Sequence, residues 1–158
     1  MTHLDMTKEE KYEMLTSQIA ALVDGEDDGV SVMANVSAAI QETMGFFWTG
    51  FYIEKNGQLR LGPFQGSVAC YRIDHGKGVC GTAYEERKTI VVPDVEQFPG
   101  HIACSSLSRS EIVVPYFDDQ QQVRGVLDID SRELNTFDET DRKHLEAIVS
   151  IIAPIICG

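Results

Sequence analysis

Two β-rich runs, FFWTGFYIE and QLRLGPF, flank the dipeptide Asn56-Gly57. Asn-Gly supplies the positive backbone φ that a two-residue hairpin turn demands, so the two runs are expected to pair antiparallel. An antiparallel sheet is the frame to which the other segments must be fitted. Before it, residues 7–23 place Tyr12, Leu15, Ile19 and Leu22 at helical spacing, with Thr7 as cap and Glu9 and Glu10 in the first turn. An acidic turn, DGEDDG, leads to a second helix over 30–44. Its buried stripe is Val32, Val36, Ala39 and Ile40, and Gly45 ends it. After the hairpin come a short strand in SVACYRI, a tight glycine loop and a helix over 81–87. TIVVPDV reads as a strand stopped by Pro93, and EIVVPYF and QVRGVLDIDS as a last hairpin about Asp118-Asp119. A closing helix spans 136–156, with Thr136 and Glu139 as a capping box and Leu145, Ile148, Val149 and Ile152 facing the core. The order is α+β: one antiparallel sheet with helices laid on it. The 158 residues suit one domain, read as an N-terminal helix and turn (1–28) and a core (29–158).

Charge and hydropathy exclude several partners. A net charge of −12 repels nucleic-acid phosphates and anionic lipid. No segment approaches the roughly 20 apolar residues of a membrane helix. The N-terminal sequence lacks the apolar core of a signal peptide, so the expected compartment is the cytosol. Thiols stay reduced there, and the four cysteines read as reagents or ligands rather than staples.

Chemistry concentrates in GHIACSSLSRSEIVVP, residues 100–115. Cys104 stands in a loop of small residues, and Glu111 heads an apolar strand seven residues later. For Cys70, Cys80 and Cys104 three readings stand. They are small buried hydrophobes, or zinc ligands with His75 or His101, although spacings of ten and twenty-four fit no standard ligand set. The third reading is a redox pair in which one cysteine attacks and another resolves. Cys104 suits the attacking role, with His101 placed to lower its pKa. Cys157, one residue from the end, is given no role. Asp128 and Asp130, two apart on a strand, share a sheet face, with Leu127 and Ile129 on the other. Together with Glu111 they form either a solvated sheet face or a pocket that accepts an ammonium group and keeps one carboxyl protonated as a general acid. Trp48 and Tyr52 also share a face, as core packing or as a pocket wall.

The motifs taken together bring in a family. They are GFY at 50–52, LGPFQG at 61–66, AC at 69–70, GKGVCG at 76–81, VxDVxxFPGHIAC at 92–104, SEIVVP at 110–115 and GVLDIDS at 125–131. The set resembles the free methionine-(R)-sulfoxide reductases, which are single GAF domains. The resemblance implies a six-stranded antiparallel sheet with helices on one face and a ligand pocket under loops on the other. It implies Cys104 as nucleophile, Cys70 as main resolving thiol and Cys80 as an auxiliary one. It also implies Trp48, Tyr52, Glu111, Asp128 and Asp130 as substrate-binding residues; the chemistry of sulfoxide reduction, which needs a proton on the oxygen, makes Glu111, with or without Asp130, the candidate donor. It brings no cofactor and no metal, a thioredoxin-type dithiol as reductant, and a homodimer, for which an exposed N-terminal helix also speaks. Ser105 departs from the family, which usually has Asp after the nucleophile. The function implied is reduction of free L-methionine (R)-sulfoxide through a cysteine sulfenic acid and an intramolecular disulfide. The rival is a non-catalytic GAF sensor of a small molecule or of oxidant.

Overall fold

The computed structural model describes residues 5–102 and 104–158. The first four residues of the 1–28 segment, and Ala103 in the cysteine loop, lie outside the described residues. Helices α1 (Lys8–Val23) and α2 (Gly29–Met44) precede the hairpin β1 (Trp48–Lys55) and β2 (Gln58–Gln65). Then follow β3 (Arg72–Asp74), α3 (Gly78–Glu86), β4 (Ile90–Val92), a 3₁₀ turn (Val95–Gln97), β5 (Ser110–Phe117), β6 (Val123–Ser131) and α4 (Glu139–Ile156). The strands form one six-stranded sheet in the order β3-β2-β1-β6-β5-β4, every neighbouring pair antiparallel. The fold is α+β, as the hairpin signal requires.

The period-two pattern sends alternate residues of the central strands into two different cores. Phe51, Ile112, Val114, Leu127 and Ile129 point to the layer of α1, α2 and α4, where they meet Tyr12, Ile19, Val36, Ile40, Leu145 and Ile148. Trp48, Tyr52, Val113 and Val126 point the other way, toward α3 and the loops, with Ile73, Val79 and Cys80. The first layer is dense and apolar. The second is where polar side chains enter.

α1 is not a free-standing helix. Tyr12, Leu15 and Ile19 are fully buried, and Val23 rather than the exposed Leu22 completes the stripe. A buried carboxylate ties α1 to α4. Asp141 accepts from the Tyr12 hydroxyl at 2.5 Å, from Lys8 Nζ at 2.7 Å and from its own helix's Asp138 N–H at 2.9 Å. Those bonds correct the expected cap. The box at the start of α4 is Asp138 with Asp141, whereas the Thr136 hydroxyl lies 2.6 Å from Ser131 Oγ.

Three further boundaries differ from the sequence reading. α3 starts at Gly78 and ends before Arg87, which takes a left-handed cap at φ 61°. Gly81 is an interior helical residue and not a helix start. A Cβ there would lie 2.4 Å from the Asp74 carbonyl oxygen, so its glycine serves close helix–strand approach. The strand expected from Ser67 begins only at Arg72, because Trp48 Nε1 and the Tyr52 hydroxyl bind the Ser67 and Cys70 carbonyls and hold that stretch as a loop. The strand about Pro93 shortens to Ile90–Val92, and Asp94 caps the 3₁₀ turn.

Asp141→Ala orphans the Tyr12 hydroxyl and the Lys8 ammonium. The expected cost is about 3 kcal/mol, a fall of roughly 6–12 °C in Tm by thermal unfolding. The far side of the sheet should be unaffected.

Candidate active site

The site is built on the three central strands. In the sheet register Trp48 pairs with Asp130 and Gly50 with Asp128, while Glu111 pairs with Asp130 and Val113 with Asp128. Glu111, Asp128 and Asp130 therefore sit side by side on the face away from α1, α2 and α4. The solvated-face reading does not hold: Glu111 and Asp128 are each only 6% exposed, under the loops and α3. One pocket is lined by these three acids, Trp48, Tyr52, Cys80, His101 and Cys104. Cys70 adjoins it through a disulfide to Cys104, with the two Cα atoms 5.4 Å apart.

Burial dominates the electrostatics. It pushes the Glu111 and Asp130 carboxyls well above the usual carboxylate range, and the negative charge of Asp128 pushes each further. Asp128 is raised less, because contacts with Glu111 and Cys80 favour its charged form against the cost of burial. Three carboxyls so placed cannot all ionise, so part of the set is kept protonated at neutral pH. The Cys80 thiol is also raised, first by burial and then by the Asp128 and Glu111 charges. It lies 3.9 Å from Glu111 Oε2 and stays a thiol. Asp128 Oδ1 is buried without a hydrogen-bond partner among the described residues. A cationic donor group entering the pocket would satisfy it.

The aromatic pair both walls the pocket and holds the cysteine loop. Trp48 and Tyr52 have ring centroids 6.1 Å apart and nearly parallel planes, and Phe64 stacks on the other side of Trp48 at 5.1 Å. Trp48 Nε1 donates to the Ser67 carbonyl at 2.9 Å, and the Tyr52 hydroxyl donates to the Cys70 carbonyl at 2.9 Å. The residues read as a wall thus position Cys70 as well.

The zinc geometry proposed from sequence is not the one found. Cys70 and Cys104 are bonded to each other, and His75 packs edge-on against Tyr84 at 4.6 Å. The donors that converge within 4.8 Å are Cys80, Glu111 and Asp128, without a histidine. His101 lines the same pocket as Cys104, and burial lowers its pKa, which favours the neutral imidazole; of the two ways it could assist the thiol, as a cation or as a hydrogen-bond donor to the sulfur, the structure weakens the first. Ser105 Oγ accepts the Leu107 N–H at 3.2 Å, a turn bond that an Asp carboxylate also makes. The departure at that position leaves the local turn chemistry in place.

Sequence reasoning missed Gly50 as an individual position. A Cβ there would lie 2.3 Å from Phe64 Cβ and 2.7 Å from the Trp48 ring, so its bare backbone is what lets Trp48 lie beside Phe64. A glycine inside a strand pattern is the signal that could have found it.

The comparisons agree with this geometry. The GAF domain model matches residues 13–156. GAF domain-containing protein A of Dictyostelium discoideum is 54% identical over 147 residues, covering 92% of each chain. The free methionine-R-sulfoxide reductase of Escherichia coli is 41% identical over 152 residues, covering 96% of this chain and 92% of that one. The solved free methionine-R-sulfoxide reductase of Neisseria meningitidis, in complex with its substrate, superposes with a TM-score of 0.93 at 46% identity, covering 96% of this chain and 91% of that one. The chain belongs to the free methionine-R-sulfoxide reductase family of GAF domains.

Gly50→Ala should displace the Trp48 ring. The chain has one tryptophan, so its fluorescence reports the site directly. The expected result is a shifted emission maximum and an overpacking cost of about 2 kcal/mol.

Proposed function

We propose that this chain reduces free L-methionine (R)-sulfoxide to L-methionine, with Cys104 as nucleophile and Cys70 as resolving thiol. The observation that carries the reading is the Cys70–Cys104 disulfide beside a pocket lined by three acids, two of them buried. The reduced enzyme begins the cycle. Cys104 attacks the sulfoxide sulfur as a thiolate. The S=O bond breaks only if its oxygen receives a proton, since the departing group is otherwise an oxyanion. Glu111 suits that task, because burial keeps its carboxyl protonated. The protonated oxygen passes from the substrate sulfur to the Cys104 sulfur, the bond between the two sulfurs breaks with its electron pair returning to the substrate, methionine leaves, and Cys104 is left as a sulfenic acid. Cys70 displaces that oxygen as water and forms the disulfide. Two thiols are oxidised and one sulfoxide is reduced.

The same pocket explains the demand for the free amino acid. The unpartnered Asp128 Oδ1, with Asp130, receives the substrate ammonium, and Trp48 and Tyr52 receive the S-methyl group. A peptide-bound residue has an amide where the ammonium should be, and would leave a buried carboxylate unpaired. Cys80 keeps its proton and serves as an auxiliary thiol. A thioredoxin-type dithiol returns the disulfide to thiols. The cytosol suits that chemistry, because dithiol carriers are kept reduced there. A homodimer remains part of the proposal on the family resemblance alone, and sedimentation tests it.

Two variants separate the roles. Cys104→Ser should abolish turnover. Cys70→Ser should complete about one turnover and stall as a sulfenic acid, trapped by dimedone and counted by mass spectrometry. Equal multiple turnover by both variants refutes the assignment.

The acid has its own signature. A group that must be protonated supports the rate below its folded pKa and loses it as pH rises through that value. The raised Glu111 pKa therefore places the falling limb of kcat above the ordinary carboxylate range. Glu111→Gln should cost roughly 10²–10⁴ in kcat and remove that limb. An unchanged pH profile excludes Glu111 as the donor.

A further inference from the structure

Among the described residues seven large hydrophobic side chains are exposed, and four of them lie on the two segments that carry the disulfide. Val68 is 88% exposed and Tyr71 76%, two residues before and one after Cys70. Ile102 is 40% exposed and Leu107 50%, two residues before and three after Cys104. The disulfide holds its two Cα atoms 5.4 Å apart, so these side chains gather around one sulfur pair. Neither cysteine is buried in the sense that Cys80 is; both are half-exposed. Scattered single hydrophobics need no explanation, but a cluster around a reactive bond does.

The charge pattern of the same two segments is also unlike the rest. The chain has 25 Asp and Glu residues, yet stretches 66–73 and 99–110 contain none. They carry Arg72 and Arg109, both exposed. The two stretches beside the disulfide thus expose apolar and basic side chains on a strongly acidic molecule, with Val68 and Ile102 at the rim of the pocket and the acids Glu111, Asp128 and Asp130 inside it. An acidic partner is repelled elsewhere and accepted here.

We infer that this collar of Val68, Tyr71, Ile102 and Leu107 is the docking surface for a protein dithiol, one whose reactive thiols sit on an apolar face of neutral to acidic charge. The inference rests on the redox cycle proposed above and names the surface at which its last step occurs. A thiolate of the partner attacks one sulfur of the Cys70–Cys104 bond. That bond breaks, the released cysteine takes a proton, and a mixed disulfide joins the two proteins. The partner's second thiol then attacks the mixed disulfide. The partner departs as a disulfide, the chain regains two thiols, and two electrons have crossed. A small thiol has no use for the collar. A transient redox encounter needs less than about 1,200 Å² of buried surface, within the reach of a four-residue patch and its rim.

The test uses the isolated oxidised chain, so it does not depend on sulfoxide turnover. The second-order rate of disulfide reduction is measured with reduced thioredoxin and, separately, with dithiothreitol. Tyr71→Ser and Leu107→Ser are chosen because neither side chain lines the pocket and they lie on different segments. Each should slow thioredoxin about tenfold and leave dithiothreitol unchanged. Unchanged rates with thioredoxin overturn the proposal. So does a parallel loss with dithiothreitol, which would make the residues supports of the disulfide. A wild-type dimer that Tyr71→Ser converts to monomer also overturns it, since a second copy would then cover the patch. Failure of the reductase reading is seen separately, as a reduced wild-type chain that does not consume methionine (R)-sulfoxide with dithiothreitol present.

Discussion

Three carboxyl groups share the dry centre of one sheet face, and the rest of the structure accommodates that cost. Glu111, Asp128 and Asp130 are brought together by the β1–β6–β5 register, with Glu111 and Asp128 buried and Asp130 partly so. Such a cluster is tolerable only if protons or a cation neutralise part of it. Burial, and after it the Asp128 charge, pushes the Glu111 and Asp130 carboxyls well above the usual carboxylate range, and Asp128 Oδ1 has no hydrogen-bond partner among the described residues. In the proposed function, that one electrostatic constraint supplies both the acid and the receptor for the substrate ammonium. The opposite face carries no such burden. Its apolar layer, pinned by Asp141 between α1 and α4, fixes the strands that hold the acids in place.

The second dependence runs from the aromatic wall to the redox pair. Trp48 and Tyr52 stack beside the loop that carries Cys70 and donate to its Ser67 and Cys70 carbonyls, so the pocket wall and the Cys70 loop are tied together. Gly50 makes the stack possible by leaving room beside Phe64. The cysteines divide by environment. Cys70 and Cys104 are reachable and bonded, whereas Cys80 is buried against Glu111, where its thiol keeps its proton.

Much of this was legible in the chain. Asn56-Gly57 placed the hairpin, and alternation in VLDIDS put Asp128 and Asp130 on one face with Leu127 and Ile129 on the other, as found. What alternation could not say was whether that face was wet, because burial is decided by α3 and by loops distant in sequence. The pairing of Cys70 with Cys104 was implied by the family resemblance, whereas spacing alone left zinc open. The misplaced boundaries share a cause. Ser67–Tyr71 has strand-like residues, but side chains from β1 capture its carbonyls. Gly81 looks like a loop glycine until the Asp74 backbone is seen against it. Thr136 and Glu139 match a capping box, yet Asp138 takes the cap because Asp141 is already held by Tyr12 and Lys8. In each case a tertiary contact overrides a sound local signal.

The central claim is that the acid-floored pocket and the Cys70–Cys104 pair reduce a free amino-acid sulfoxide. The most direct measurement follows methionine formation by the reduced protein with dithiothreitol. Three substrates are offered separately: free methionine (R)-sulfoxide, its (S) isomer, and an N-acetylated, C-amidated (R)-sulfoxide. The account requires turnover of the first alone. Equal turnover of the blocked sulfoxide would contradict the role given to the buried acids. Silence with all three, with the cysteines shown to be reduced, would make the cysteine pair a sensor's switch rather than a catalyst.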